Sequence, residues 1–231
     1  DKKTYYDCRT QEFGMRKFLA VGTQFSINDR TVFLRGTHDG CVFPLTGYPP
    51  MNVEDWIRVF QIAKSYGLNH YRFHSWCPPE AAFKAADLVG IYLQPELPNW
   101  ASFHEPGDEN YCREHEEYLR KEGQRIMESF GNHPSFVMFT LGNELFGSRK
   151  IMADIVNELR TYDNRHLYAQ GSNNFYSAPS LAEGDDFWVT MRTKGLDYPV
   201  RGSFSYADLP LGHIQSDEPP STMFDYSKSI K

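Results

Sequence analysis

A glutamate placed directly after a strand-like apolar run is the most informative chemical group in this sequence. The run from Phe136 to Leu141 favours a strand and leads into Gly142, Asn143 and Glu144. Such a run is expected for a parallel strand covered on both faces, and barrel active sites are assembled at the carboxyl ends of such strands. Glu144 is therefore the first candidate for acid–base chemistry, with Asn143 beside it. The alternative is a loop glutamate that caps the next helix.

Two further polar pairs follow strand-like segments. Arg72 and His74 stand two residues apart in the segment that begins at His70, so their side chains point to the same face. We expect both to face a pocket; the alternative is a buried arginine paired with a structural carboxylate, for which Glu96 is the candidate. Glu96 ends the next strand and Trp100 follows it, so this pair offers a hydroxyl acceptor and a stacking platform for a ligand ring.

Polar side chains also follow the first, fifth and sixth strand-like segments. His38 and Asp39 come after the first, where either can hydrogen-bond a hydroxyl of a ligand; for Asp39 the alternative is a turn before Gly40. The amides after the fifth segment suit recognition of ligand hydroxyls because an amide donates and accepts at once, and the alternative is ordinary loop capping. A cation after the sixth segment favours an acidic ligand, and the alternative is a surface arginine. The residues after the fifth and sixth segments are Asn173, Asn174, Tyr176 and Arg192.

The elements that position these groups alternate between short strands and amphipathic helices, which predicts a parallel sheet or barrel. We predict strands at 32–35, 70–73, 91–94, 136–141, 167–170 and 187–191. Helices are predicted after the N-cap residue Asn52, over 80–89, over about 111–130 and around 152–159. Residues 194–221 have no clear period and are predicted to form a long loop, and 223–230 the start of another helix.

Charge and composition argue against several partner classes. The 231 residues carry 24 basic and 30 acidic side chains, a net charge of −6 without a basic tract, which argues against nucleic acid or an anionic membrane. No apolar run approaches the ~20 residues of a membrane span. We expect no signal peptide in the residues that follow Asp1, and the location of the protein, export included, is left open. The cysteines at 8, 41, 77 and 112 are far apart, so we expect free thiols and no zinc site, with a disulfide left open.

Several motifs together resemble glycoside hydrolase family 2, the β-galactosidase and β-glucuronidase family. The motif Gly-Asn-His-Pro-Ser at 131–135, the strand behind it and the Gly-Asn-Glu ending at 142–144 are similar to the acid/base motif of that family. The resemblance begins at 25–36, which is similar to the family's hairpin and first barrel strand, and continues through 71–74, 87–92 and Glu96. It implies an α/β fold of the TIM (β/α)8 barrel type.

The resemblance also implies roles for matching residues. Glu144 would protonate the leaving-group oxygen of a β-glycoside, Asn143 would hydrogen-bond the sugar 2-hydroxyl, and Arg72 would help set the charge and orientation of a nucleophile. The stretch that contains Asn173, Asn174 and Tyr176 is similar to one in β-glucuronidase relatives.

Two positions depart from the family pattern. The order Arg-Phe-His-Ser at 72–75 leaves the role of His74 open, and Arg192 replaces part of an Asn-x-Tyr element. The pair His104-Glu105 lacks the spacing of the magnesium ligands found in some family members, so we expect no essential metal and no cofactor.

A retaining glycosidase needs a second carboxylate about 5–5.5 Å from the acid, and in the family it is a glutamate that ends the seventh strand. Of the two glutamates after Glu144, Glu183 precedes the sixth strand and Glu218 is followed by Pro219. We therefore expect the nucleophile to be missing, the barrel to be incomplete with about six of eight strands, and the chain alone to be inactive. Residues 1–24 are expected to be a junction from a preceding β-sandwich domain, and 25–231 the partial barrel.

The resemblance thus predicts part of a retaining, exo-acting β-glycoside hydrolase with a carbohydrate substrate and further β-sandwich domains in its parent chain. Two alternatives remain. One is a non-catalytic carbohydrate-binding relative. The other is a metal-dependent barrel hydrolase that uses His38, His70 and His74.

Overall fold

This computed structural model describes residues 3–172, 174, 181–187 and 189, and its regular structure begins with a small antiparallel sheet. The sheet consists of β1 (Phe18–Val21), β2 (Gln24–Ile27) and β3 (Arg30–Val32), joined by two-residue turns. Asn28 and Asp29, which join β2 to β3, both have positive φ, the backbone conformation that a type I′ hairpin turn requires. The sheet spans the predicted junction at residue 24, and the division of the chain into domains stays a prediction.

Parallel strands and helices then alternate. The order is β4 (Gly36–Asp39), α1 (Val53–Ser65), β5 (His70–Phe73), α2 (Glu80–Val89), β6 (Tyr92–Gln94), α3 (Arg113–Phe130), β7 (Met138–Thr140), α4 (Arg149–Tyr162) and β8 (Leu167–Ala169). This alternation confirms the helix and strand rhythm that the sequence predicts.

The parallel strands follow one another in sequence order across the sheet. β4 pairs with β5, β5 with β6, and β7 with β8, all in parallel. The Leu93–Phe136 and Glu96–Thr140 bridges join β6 to β7, and a bridge from Ser172 to Val189 extends the sheet beyond β8. Sequential parallel order with helical crossovers is the arrangement of a TIM-barrel-like fold. The described strands do not close into a ring.

The helices begin and end where their local sequence allows. Asn52 caps α1, since its Oδ1 accepts from the Asp55 N–H at 2.9 Å. Ser148 caps α4 in the same way through Ile151, and Gly90 ends α2 in the left-handed conformation. Pro79 is the N-cap of α2 and directly precedes its first helical residue, Glu80.

The predicted first barrel strand at 32–35 was wrong. Val32 belongs to the antiparallel β3, and the first parallel strand is Gly36–Asp39, with Thr37 paired to Tyr71. The prediction rested on apolar residues that precede the first parallel strand, whereas the residues of β4 itself are mostly polar. His38 and Asp39 therefore lie within β4 instead of following it. Of the predicted sixth strand, only positions 187 and 189 are among the described residues, and the predicted loop and helix after 193 are outside them.

Two apolar cores hold these layers together. The larger lies between the parallel strands and the helices, and it includes Trp56, Phe60, Phe83, Phe139 and Leu159. The smaller joins the antiparallel sheet to residues near the start of the parallel strands, with members that include Phe18, Met138 and Leu167. The antiparallel sheet thus packs against the amino ends of the parallel strands, which leaves their carboxyl ends for a functional site.

No helix within the described ranges is both long and apolar enough to cross a bilayer. The thiols of Cys8, Cys41, Cys77 and Cys112 are free in the structure.

Candidate active site

Arg72 and Glu96 form a two-point ion pair at the carboxyl ends of β5 and β6. Arg72 Nε lies 2.7 Å from Glu96 Oε1, and Arg72 Nη2 lies 3.1 Å from Glu96 Oε2. The planar guanidinium matches the carboxylate at both oxygens, so the pair fixes direction as well as distance. This is the buried arginine–carboxylate pair that the sequence offered as an alternative for Arg72.

Glu96 accepts three more hydrogen bonds from protein groups. The backbone N–H of Ser75 donates to Oε2 at 2.7 Å, and the hydroxyls of Thr140 and Ser172 donate to Oε1 at 2.8 and 2.6 Å. The side chain is 0% exposed, so a sugar hydroxyl has no open oxygen to reach. The geometry favours a positioning role for Glu96 over the hydroxyl acceptor that the sequence suggested.

Asn143 is held in a single orientation by its neighbours. Its Oδ1 accepts from Arg72 Nη2 at 2.7 Å, and because a guanidinium only donates, the amide oxygen has to face Arg72. Its backbone N–H donates to the Asn99 carbonyl at 3.1 Å. The amide of Asn143 is therefore pre-oriented through Arg72 and Glu96.

Glu144 adopts a left-handed backbone conformation with φ 52°. For a residue with a Cβ this conformation costs about 1–3 kcal/mol and persists only where the surroundings hold it, often at functional sites. Its N–H donates to the Ser172 carbonyl at 2.8 Å, and the following N–H, of Leu145, donates to Asn174 Oδ1 at 2.9 Å. The side chain of Glu144 is half-buried.

Gly142 and Gly147, on either side of Glu144, press against the loop that follows β6. A Cβ on Gly142 would overlap the carbonyl oxygen of Asn99, and one on Gly147 would overlap that of Phe103. Both glycines have positive φ, so the chain here requires glycine for two separate reasons. The loops after β6 and β7 are therefore closely packed along their backbones.

His38, His74 and Trp100 form a row of rings beside the ion pair. The His38 and His74 ring centroids lie 5.8 Å apart, and those of His74 and Trp100 lie 4.8 Å apart, edge to face. Trp100 is 60% exposed, which suits a stacking surface for a ring. Burial, followed by the Arg72 charge, lowers the pKa of His74, so its ring is neutral near physiological pH.

Asp39 lies at the end of β4 and stabilises the turn that follows. Its Oδ1 accepts from the Cys41 N–H at 2.8 Å, and its backbone oxygen accepts from the His74 N–H and the Trp76 ring N–H. Burial raises the pKa of Asp39 above its ordinary value, although the bond from Cys41 opposes this. The turn-stabilising alternative fits these contacts.

Of the predicted residues after β8, only Asn174 is among the described residues; Asn173, Tyr176 and Arg192 lie outside them. Asn174 is 2% exposed, and its amide oxygen accepts from a backbone N–H. This contact matches the loop-capping alternative.

Sequence reasoning missed Thr140, Ser172 and Asn99. Thr140 is the single polar residue in the apolar run 136–141, which was a usable signal for a side chain that faces the site. Ser172 lies two residues after the predicted strand 167–170 and was overlooked beside the amides that follow it. Asn99 contributes its backbone carbonyl, for which no side-chain pattern exists.

The three histidines of the metal-dependent alternative do not converge. His70 begins β5 whereas His74 follows its end, four residues on, which separates them by about 13 Å at the rise of a strand. Within the ranges that the structure covers, no three His, Cys, Asp or Glu side chains are grouped as metal ligands.

Comparison with known proteins gives a family match over most of this fold. Residues 20–183 match the family model described as glycosyl hydrolases family 2, TIM barrel domain. A curated protein of Formosa agariphila, provisionally named a β-glucuronidase, is 28% identical over 122 residues, which cover 53% of this chain and 14% of the relative.

Solved structures share the fold. A β-glucuronidase from Ruminococcus gnavus in complex with a C6-substituted uronic isofagomine is 22% identical, with a TM-score of 0.66, over 78% of this chain and 32% of that one. Parabacteroides merdae β-glucuronidase is 22% identical, with a TM-score of 0.57, over 68% of this chain and 20% of that one. The chain spans less than a third of the length of each of these relatives.

Proposed function

Because the chain belongs to glycosyl hydrolase family 2, we propose that it forms part of the catalytic barrel of a retaining, exo-acting β-glycoside hydrolase. Glu144 is the proposed acid/base residue. The observation that carries this proposal is the strained backbone of Glu144, held by hydrogen bonds at the carboxyl ends of neighbouring parallel strands. A general acid must be fixed within hydrogen-bond reach of the leaving-group oxygen, and this support supplies such fixation.

Asn143 is the proposed partner for the sugar hydroxyl next to the reacting carbon. Its amide oxygen is turned towards Arg72, so its N–H groups face away from the guanidinium. The exposed face of Trp100 and the neutral ring of His74 lie beside this point and suit a pyranose ring and its hydroxyls.

The reaction requires a nucleophile about 5–5.5 Å from the acid. Glu96 is unsuited to this role, because protein donors occupy both of its oxygens. We propose that the nucleophile is a glutamate missing from this chain, and that the activity belongs to the complete protein that contains the chain.

The proposed substrate class is a β-glycoside, with β-glucuronides tested before β-galactosides. The names of the Ruminococcus and Parabacteroides relatives support this order. The non-catalytic carbohydrate-binding alternative makes a different prediction, namely that the complete protein binds the sugar without cleaving it.

The test measures hydrolysis of alkyl β-glucuronides and alkyl β-galactosides, whose leaving groups need a proton from the acid, by the complete protein and its Glu144→Gln variant. We expect Glu144→Gln to lower kcat/KM by about 10²–10⁴-fold on whichever substrate is cleaved, because a general acid contributes about that much. Glu54→Gln, an exposed change in the first turn of α1, is the matched control and should retain wild-type activity. Equal activity of wild type and Glu144→Gln would contradict the assignment, and sugar binding without turnover by the wild type would favour the non-catalytic alternative.

A further inference from the structure

The left-handed backbone at Glu144 is held by the segment that follows β8. Ser172 accepts from the Glu144 N–H and donates its own N–H to the Gly142 carbonyl, at 2.8 and 2.9 Å. Asn174 accepts from the next N–H in the chain, that of Leu145, at 2.9 Å. Successive backbone groups around the proposed acid are thus bound to one neighbouring segment.

Asn174 differs from Ser172 because its side chain, not its backbone, makes the contact. The Leu145 side chain is 0% exposed, and its backbone N–H is satisfied by Asn174 Oδ1. A buried N–H that loses its acceptor is costly, so the backbone would turn to find another. Any such turn rotates the peptide that joins Leu145 to Glu144.

The absence of a side chain at Gly171 leaves space for the amide of Asn174. A Cβ on Gly171 would overlap Asn174 Oδ1, with the amide nitrogen and carbon of Asn174 also in contact. Gly171 does not have positive φ, so its role is space rather than backbone freedom. The glycine and the asparagine therefore act together to bring an acceptor to Leu145.

We propose that Asn174 is a positioning residue for the acid/base step, acting through the Leu145 N–H to keep Glu144 in its left-handed conformation. This inference rests on the proposed role of Glu144. The proposal gives Asn174 no direct contact with the sugar, because the residue is buried and its amide oxygen already accepts from the Leu145 N–H. Glu144 then delivers its proton from a fixed direction to the leaving-group oxygen.

The experiment compares leaving groups in the complete protein. The dinitrophenolate of a dinitrophenyl glycoside leaves without a proton, whereas the alcohol of an alkyl glycoside of the same sugar leaves only when the acid protonates its oxygen. We expect Asn174→Leu to lower kcat/KM on the alkyl glycoside by about 10- to 100-fold and to change it by no more than about threefold on the dinitrophenyl glycoside. Asn174→Asp, which retains an oxygen acceptor, should restore most of the alkyl glycoside activity.

Gly171→Ala provides an independent variant, because it displaces the Asn174 amide without replacing it. It should show the same leaving-group dependence as Asn174→Leu. If Asn174→Leu fails to fold, Asn174→Ser carries the test, since its short hydroxyl does not reach the Leu145 N–H. Equal losses on both substrates, or no loss on either, would overturn the positioning role.

Glu144→Gln is measured in parallel to separate the two proposals. If Glu144→Gln loses activity selectively on the alkyl glycoside and the Asn174 and Gly171 variants do not, only the positioning role is wrong. If Glu144→Gln shows no such selectivity, the acid assignment is wrong and the role of Asn174 falls with it.

Discussion

The guanidinium of Arg72 and the carboxylate of Glu96 meet at two points, with Nε and Nη2 facing separate oxygens. Glu96 is fully buried and Arg72 is largely so. A buried pair adds little net stability, but removal of one partner leaves an uncompensated charge. The pair is therefore a sensitive point for both stability and site geometry.

Replacing Glu96 by leucine should destabilise the protein by about 3–5 kcal/mol, because Arg72 would lose its buried partner. Denaturant unfolding followed by circular dichroism measures this change. Glu80→Gln breaks the exposed Lys84–Glu80 ion pair on α2 and serves as the control, with an expected change within about 0.5 kcal/mol. A similar small change for Glu96→Leu would mean that Arg72 is not dependent on this carboxylate.

Replacing Gly142 by alanine should be far more harmful than the same change at Gly107. Both glycines have positive φ, with values of 134° and 102°, so both variants suffer backbone strain. Only at Gly142 would the new Cβ also overlap backbone, whereas at Gly107 it would meet open space. We expect a loss of about 1 kcal/mol for Gly107→Ala and more than about 3 kcal/mol for Gly142→Ala in unfolding experiments. Equal losses would show that the contact with Asn99 yields easily.

Asp185 should make the protein less stable as the pH rises from about 4 to 7. Burial raises the pKa of Asp185 to about 7, although the Gln170 N–H donates to it at 2.7 Å. Since the unfolded carboxyl titrates near 4, the folded state binds more protons across this window, and stability falls with increasing pH. Asp185→Asn should remove this decline and stabilise the protein near pH 8 by about 1–2 kcal/mol.

Urea unfolding at a series of pH values measures this effect. Asp154→Asn, at an exposed carboxylate on α4 that pairs with Lys150, is the control and should change stability by less than about 0.5 kcal/mol throughout. A decline that persists unchanged in Asp185→Asn would assign it to another group.

Arg16 should anchor the segment that precedes the antiparallel sheet. Its guanidinium donates to the carbonyls of Phe136 and Arg165, near the amino ends of β7 and β8. Arg16→Leu should speed chymotryptic cleavage after the exposed Phe13 by about tenfold, which corresponds to about 1.4 kcal/mol of lost anchoring. Arg9→Leu, at an exposed position in the same segment, should leave the cleavage rate unchanged.

The sequence predicted those parts of the fold in which local pattern and packing agree. The apolar stripe and the Asn52 cap located α1, and the Ala-rich stretch from Glu80 to Val89 matched α2 residue for residue. The strand β4 was misplaced because its residues are polar and half-exposed, so periodicity shifted the prediction to the apolar residues before it. Its existence depends on hydrogen bonds to β5, which no local pattern encodes.

The candidate site could also be predicted only where residue type and local position were informative. Residue type and position drew attention to Arg72, Glu96, Asn143 and Glu144, and the structure brings the first three into one hydrogen-bonded network. The sequence could not indicate that Glu96 would be closed off, because that depends on three donors from separate elements. The left-handed backbone at Glu144 was also beyond prediction, since it is imposed by neighbouring loops rather than by its own residue type.

The close contact between the loops after β6 and β7 limits how this site can be altered. Asn99 and Phe103 on one loop lie directly against Gly142 and Gly147 on the other, with backbone hydrogen bonds at both points. Exchanging either loop alone with that of a relative would break its backbone pairing with the loop left in place. Engineering of substrate range in this scaffold should therefore transplant the two loops as one cassette, with both glycines retained.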